Sequence, residues 1–268
     1  MTRSHKKFSV YVTETANGER GMKLKLGLMF SALMLSCHAS AAPSFKTYDI
    51  AVPLTKQGAV VEATNKFMAT KIGKSYKGSL HLNSYLANGM NPATHSFVLL
   101  MDSMADIAEW ENGLAGNPDI MEFWSTLEAN STPVSEYMGS LIKTWGDISN
   151  DDRIWQVTRF YSTDPATMVA SMDALIAKTG KRFPGQTAIH AMNIGHRNGA
   201  NDSFSTHMLV NGYESVAEME EWINYLNTQP AWGEFLGAVR SSTTWQGTDL
   251  IQNAVIYDDN MDLEEFLD

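Results

Sequence analysis

The chain has 268 residues, 44% of them hydrophobic and 19% charged, which suits a sizeable core and excludes disordered, collagenous and coiled-coil classes. Net charge is −10, but six basic and only two acidic residues fall within residues 1–41, so the chain from Ala42 onward carries −14. Such a surface repels phosphate backbones and anionic lipid, which argues against nucleic acid as a partner, and a single Cys excludes a disulfide framework.

Residues 1–21 are polar and precede a better start at Met22. Gly18-Glu19 can be encoded by a purine-rich stretch two codons before Met22, so residues 1–21 are expected to come from a start codon assigned too early. Met22 to Lys25 is a short positive region. Leu26 to Leu35 is apolar and too short to span a bilayer, and Ala39 and Ala41 supply a small-residue cleavage site. This order predicts a bacterial secretory signal over residues 22–41, with a periplasmic or secreted product that is not inserted in the membrane once the signal is removed. Met34-Leu-Ser-Cys37 offers a lipoprotein-type site as the alternative. Cleavage after Ala41 leaves no Cys, which suits an oxidising compartment.

Beyond Ala41 the elements follow a regular order. Phe45 to Val52 alternates, with Tyr48, Ile50 and Val52 on one face, and reads as a strand. Thr55 to Ile72 carries a helical stripe that Gly73 is expected to stop. Ser79 to Ala87 is a second strand, Asn88-Gly-Met-Asn-Pro92 a turn, and His95 to Asp102 a third strand. Ser103 can cap a helix running to Leu114, and Asn117-Pro118 opens another short helix. Met138 to Trp145 is a fourth strand.

The pattern then repeats from Ile154 to Tyr257. Residues 94–124 align with 206–236 at a constant offset of 112, with twelve identities that include Thr94/Thr206, His95/His207, Trp110/Trp222 and Pro118/Pro230. Upstream, Lys71 to Gly78 matches Lys178 to Gly185, and Leu80-His81 matches Ile189-His190. In the second unit Asp164-Pro165 opens the first helix, and Ser215-Val-Ala-Glu218 reads as a capping box. A period near 110 is a duplicated domain. The expected units are 42–147 and 153–257, joined by a polar linker at 147–152 and followed by an acidic tail, 258–268.

Strand, helix, strand, strand, helix, strand is the ferredoxin-like βαββαβ motif. The order, the duplication and a helix bearing Trp110 followed by Asn117-Pro118 and Phe123-Trp124 resemble the dimeric α/β-barrel superfamily, fused in tandem. The resemblance covers almost all of residues 44–257. It implies an α+β fold in which two repeats pack as a pseudo-dimeric α/β barrel. The superfamily includes cofactor-independent monooxygenases, haem enzymes, haem-degrading enzymes and members without known catalysis. Fold alone does not choose among them.

The candidate chemistry lies in the histidines. His81, His95, His190, His196 and His207 lie beyond residue 41. Ser79, His81, Asn83 and Tyr85 share one strand face, which in a barrel looks inward, opposite Leu80 and Leu82. His81 and His95 lie seven residues either side of Asn88, so they could sit side by side across the hairpin; His190 and His207 flank Asn198-Gly199 in nearly the same way. One step of register would turn one member outward. A neutral imidazole there could serve as a general base near pH 7, or the histidines could simply hold the turns in place. Two His per repeat fall short of a zinc set, so no metal is expected. There is no C-x-x-C-H motif and no His at the end of the Trp110 or Trp222 helix, so no cofactor is expected, with haem as the alternative that the resemblance brings. Trp110 and Trp222 read as core.

The expectation is therefore an exported protein that binds a small apolar or aromatic molecule inside its barrel, with His81, Asn83, Tyr85, His95, His190 and His207 as contacts. A cofactor-independent oxygenase or isomerase using His81 or His190, a haem-dependent version of it, or a structural module with a filled barrel are the alternatives. The chain is expected to act as a monomer or a homodimer.

Overall fold

Alternating apolar and polar residues drive the chain into eight strands whose two faces have different fates. The computed structural model describes residues 42–146, 152–182, 185–195 and 205–257. Residues 1–41, most of the 147–152 linker, His196, the Asn198-Gly199 turn and the tail 258–268 lie outside the described residues. The first half comprises β1 (Ser44–Ala51), α1 (Gln57–Met68), β2 (Ser79–Ala87), β3 (His95–Met101), α2 (Met104–Gly113), α3 (Pro118–Asn130) and β4 (Thr132–Trp145). The second comprises β5 (Ile154–Ser162), α4 (Pro165–Thr179), β6 (Thr187–Ile194), β7 (His207–Tyr213), α5 (Val216–Asn227), α6 (Pro230–Val239) and β8 (Thr243–Tyr257).

All strand pairs are antiparallel, and they close into one barrel in the order β1-β3-β2-β8-β5-β7-β6-β4. Each half is thus a four-stranded ferredoxin-like sheet, as the sequence pattern predicts. The seams are β2 with β8 and β4 with β6. β4 and β8 are long because each serves two sheets. Residues 132–140 of β4 pair with β1, and 138–145 pair with β6. The expected fourth strand, Met138 to Trp145, is only the half that crosses the seam. The half before it carries Pro133, which the chain accommodates opposite Ile50 at a register shift.

Strand parity separates three cores. On β1, Phe45 packs into the barrel lumen, whereas Tyr48 and Ile50 pack against the helices. Phe45, Tyr137, Val157, Met192, Met208 and Ile251 fill most of the lumen. Leu82, Ile107 and Phe97 belong to the first helix–sheet core; Phe160, Met168 and Ile189 belong to the second. Full burial of each such side chain contributes about 1.5–3 kcal/mol. Among the described residues no helix is long and apolar enough to cross a membrane.

The helix starts follow the sequence signals. Ser103 and Ser215 cap α2 and α5 by accepting from the backbone N–H of Asp106 and Glu218, and Asp164 caps α4. The Glu218 carboxylate returns to the N–H of Glu214, one residue before the cap, so the box is shifted by one position. The end of α1 differs from expectation. The helix stops at Met68, because Thr70 turns the chain: its hydroxyl donates to the Phe67 carbonyl (2.7 Å) and accepts from the Gly73 N–H (3.1 Å). Gly73 opens a short 3₁₀ turn packed on the last helical turn, where a Cβ would lie 2.6 Å from Met68 Cα.

Gly139 tests the packing at the β4–β6 seam. A Cβ there would meet the Phe45 ring at 2.7 Å and the Ala191 carbonyl. Gly139→Ala is expected to destabilise the protein by about 2–3 kcal/mol in urea titration. Gly237→Ala, in α6 with open space around it, should instead stabilise by about 0.5–1 kcal/mol.

Candidate functional site

The register decides which histidines reach the lumen. His81 pairs with Val98 and Ser84 with His95, so the β2–β3 hairpin is centred between Gly89 and Met90, not on Asn88. That places His81, Asn83 and Tyr85 on the lumen face of β2 and turns His95 to the helix side with Phe97 and Leu99. In the second half His190 pairs with Met208 and Ala191 with His207. His190 faces the lumen, and His207 stacks outside on Phe160 with centroids 5.5 Å apart. The expected side-by-side pairs therefore do not form. The expected equivalence of His81 and His190 also shifts: Asn83 sits opposite Ser96 as His190 sits opposite Met208, so His190 occupies the place of Asn83.

His95 and His207 are joined to a repeated clip. The Oγ1 atoms of Thr94 and Thr206 bind their Nδ1 atoms (2.9 and 2.7 Å), and the same hydroxyls accept from the N–H of Val52 and Ser162. These histidines fasten the end of the first strand to the third. Burial holds both rings below the ordinary imidazole pKa.

His81 is held at both ring nitrogens. The Trp155 indole can only donate, and it donates to Oδ1 of Asn253 (2.6 Å). This orients the Asn253 amide, whose Nδ2 donates to Asn83 Oδ1 (2.7 Å) and faces His81 Nδ1 (3.2 Å). Nδ1 must then accept, and Nε2–H donates to Ser79 Oγ at 2.5 Å. In that tautomer His81 does not activate Ser79. Nearby, Asp49 accepts from Tyr85 (2.6 Å) and Ser135 (2.5 Å), and Arg159 is ion-paired with Asp249. His190 differs from these groups. It meets the edge of Phe45 at 5.3 Å, its Nδ1 is buried without a partner among the described residues, and burial lowers its pKa to about 4. The lumen leaves a cavity of about 110 Å³.

A larger cavity lies elsewhere. Between the outer face of the second half-sheet and α4, α5 and α6 there is a pocket of about 390 Å³. Met172, Leu175, Trp222, Leu226, Trp232 and Phe235 form its apolar walls, and Trp245 and Leu236 are its half-exposed members. Its floor is polar and uncharged: Gln156, Thr158, Thr187, Asn211 and Thr248. Thr187 donates to Asn211 (2.8 Å), and Thr158 and Thr248 are hydrogen-bonded at 3.0 Å. Side chains on the helix-facing side of a sheet are ordinarily apolar, so this floor stands out.

The first half shows what fills the same place. Strand registers equate Thr158 with Tyr48, Asn211 with Leu99, Thr187 with Leu80 and Thr248 with Glu136; the helix offset equates Ile223 with Glu111 and Leu236 with Trp124. There the Tyr48 hydroxyl donates to Glu111, and the Tyr48 ring meets Trp124 edge-on at 6.1 Å. Lys46 bridges Glu111 and Glu136 at 2.8 Å each. Burial works against the Lys46 charge, but the two carboxylates hold its pKa above the usual range. Only about 40 Å³ remains. The identities between the repeats carry no trace of the open pocket. The signal lay in the differences at constant offset: Trp124 against Leu236, Glu111 against Ile223, Leu99 against Asn211.

The pocket does not fit haem. Haem iron takes His, Cys, Met or Tyr, and among the described lining only Met172 and Tyr213 are of those types. Tyr213 is fully buried, which pushes its pKa up and keeps it protonated. Among the described residues no Lys or Arg lines the pocket to receive propionates. Among the described residues no three His, Cys, Asp or Glu converge as a metal set.

His190 makes stability depend on pH. An imidazole with a pKa near 6.5 in the unfolded chain and about 4 in the folded one binds its proton more readily unfolded. Its contribution is complete above pH 6.5 and is lost as pH falls toward 4, by up to about 3 kcal/mol. Urea titrations between pH 7 and 4 should show a shallower loss for His190→Phe than for the native chain.

A scan against protein-family models and a search of curated proteins each give no match. Solved structures do match. A candidate monooxygenase of Lactobacillus acidophilus NCFM has 9% identity and a TM-score of 0.57, covering 81% of this chain and 97% of that one. A candidate monooxygenase of Fusobacterium nucleatum has 11% identity and a TM-score of 0.55 over 81% and 95%. An anthrone oxidase-like protein has 13% identity and a TM-score of 0.55 over 82% and 94%. At such identities the likeness shows the fold: the chain is a dimeric-type α/β barrel made from one polypeptide.

Proposed function

We propose that this chain is a binding protein for a small, uncharged, largely aromatic or apolar molecule, held in the second-half pocket. The carrying observation is that 390 Å³ stands open over a neutral polar floor where the first half is filled by Tyr48, Trp124 and the Lys46 cluster. The aromatic walls offer stacking surface, and the hydroxyls and amides of the floor offer directional contacts to a ligand edge. Among the described residues no lining group carries a charge, so a charged ligand would be desolvated there without a partner. Because one chain closes the barrel, the site needs no second copy.

The monooxygenase names attached to similar folds suggest the enzyme alternative. Proton abstraction from a substrate needs a base within reach, and no His, Asp, Glu or Lys lines this pocket among the described residues. Binding is therefore the reading the lining supports best. Export is part of the proposal and rests on the positive, apolar and small-residue order of residues 22–41.

N-Phenyl-1-naphthylamine, an uncharged aromatic fluorophore, is the test ligand. Its emission should rise on binding, and Trp222, Trp232 and Trp245 should be quenched together. Leu236→Trp, which copies the plug of the first half, should weaken binding at least tenfold, about 1.4 kcal/mol, without lowering the melting temperature. No binding to the native chain, or unchanged binding to Leu236→Trp, would contradict the proposal.

A further inference from the structure

The 110 Å³ lumen cavity is chemically distinct from the pocket just described, and it is built, not left over. Phe45 can lie across β4 only because Gly139 has no side chain, and that placement brings its ring edge-on to His190. His190 lines the cavity and has no hydrogen-bond partner among the described residues, with Nδ1 wholly buried. Nε2, the ring nitrogen that is not sealed off, makes no hydrogen bond to the described residues and is left to pair with a guest in the cavity. Thr47 and Ser96 add hydroxyls to the lining, and Val98, Val210 and Ile251 make apolar wall.

The charges in the lumen already have partners. Arg159 and Asp249 are both buried and paired, and Asp49 takes two hydroxyl donors. An ionic guest would have no counter-charge, so the cavity selects a neutral one. Size narrows the class further. A dry apolar cavity of about 150 Å³ holds benzene, so this smaller one suits about five heavy atoms. We propose that the barrel lumen is a second ligand site, for a small uncharged molecule with one hydrogen-bonding edge and one apolar edge, anchored on His190. A five-membered neutral azole or a molecule of similar size and polarity meets those terms. The site stands independently of the pocket reading, because it uses the opposite face of the sheet.

Pyrazole is the probe. At millimolar concentration it should raise the melting temperature of the native full-length chain and shift the Met208 and Ile251 methyl resonances. Stabilisation should grow with the logarithm of pyrazole concentration once the site is saturated. His190→Phe keeps the aromatic contact with Phe45 and removes the polar anchor; it should reduce pyrazole affinity at least tenfold. Val98→Phe fills the cavity while leaving His190 in place, and should abolish the methyl shifts even if His190→Phe folds poorly. Leu236→Trp should leave all pyrazole effects intact. The proposal is overturned if pyrazole neither stabilises the native chain nor shifts those methyls, which would make the lumen a water-filled cavity. It is equally overturned if the effects survive both lumen substitutions, or if they disappear in Leu236→Trp, which would assign them to the outer pocket.

Discussion

Closure of the barrel is the constraint on which the other features depend. A single βαββαβ sheet leaves two unpaired edges, here β2 and β4, and one uncovered face. Duplication solves both problems within one chain: β8 pairs with β2, β6 pairs with β4, and the two uncovered faces become one lumen. Eight strands leave an interior just wide enough for side chains to fill, and Phe45, Tyr137 and Met208 nearly fill it. The length of β4 and β8, the glycine at position 139 and the inward polar network all follow from sealing those seams.

Closure also releases the two halves from having to be alike on the outside. The lumen is shared, but each helix–sheet layer is private to its half. The first half invests its outer layer in packing: Tyr48, Glu111, Lys46 and Trp124 interlock, and little space remains. In the second half those positions hold Thr158, Ile223, Gln156 and Leu236, which are smaller or uncharged, and a pocket with a polar floor opens beneath the helices. The repeated features serve folding in both halves. The Thr–His clip, the Ser caps, and the surface pairs Lys66–Glu122 and Lys178–Glu234 recur at matching places. Function is better sought where the repeats disagree.

Much of this was legible in the sequence, and the failures are instructive. The strands, the helix caps and the duplication follow from periodicity and from the 112-residue offset, since a half-buried strand or an amphipathic helix writes its burial directly into its pattern. The histidine constellation did not follow, because strand parity turns on the hairpin centre. A displacement of one and a half residues, from Asn88 to the Gly89–Met90 midpoint, sends His95 to the helix side while His81 stays inside. His190 lies in the lumen but takes the place of Asn83, an offset of 107, whereas the match of Leu80-His81 with Ile189-His190 implies 109. The outer pocket is not written in the residues that the repeats share. It depends on missing volume, and missing volume appears only when large side chains in one repeat are set against small ones in the other.

Xenon-pressurised crystals test the central asymmetry most directly, because xenon enters apolar cavities without needing a specific ligand. The account predicts an anomalous xenon peak between Trp222, Leu226 and Phe235, beneath α5 and α6 of the second half, and none between Tyr48, Phe97 and Trp124 of the first. Equal occupancy in the two halves, or a peak in the first half alone, would contradict it.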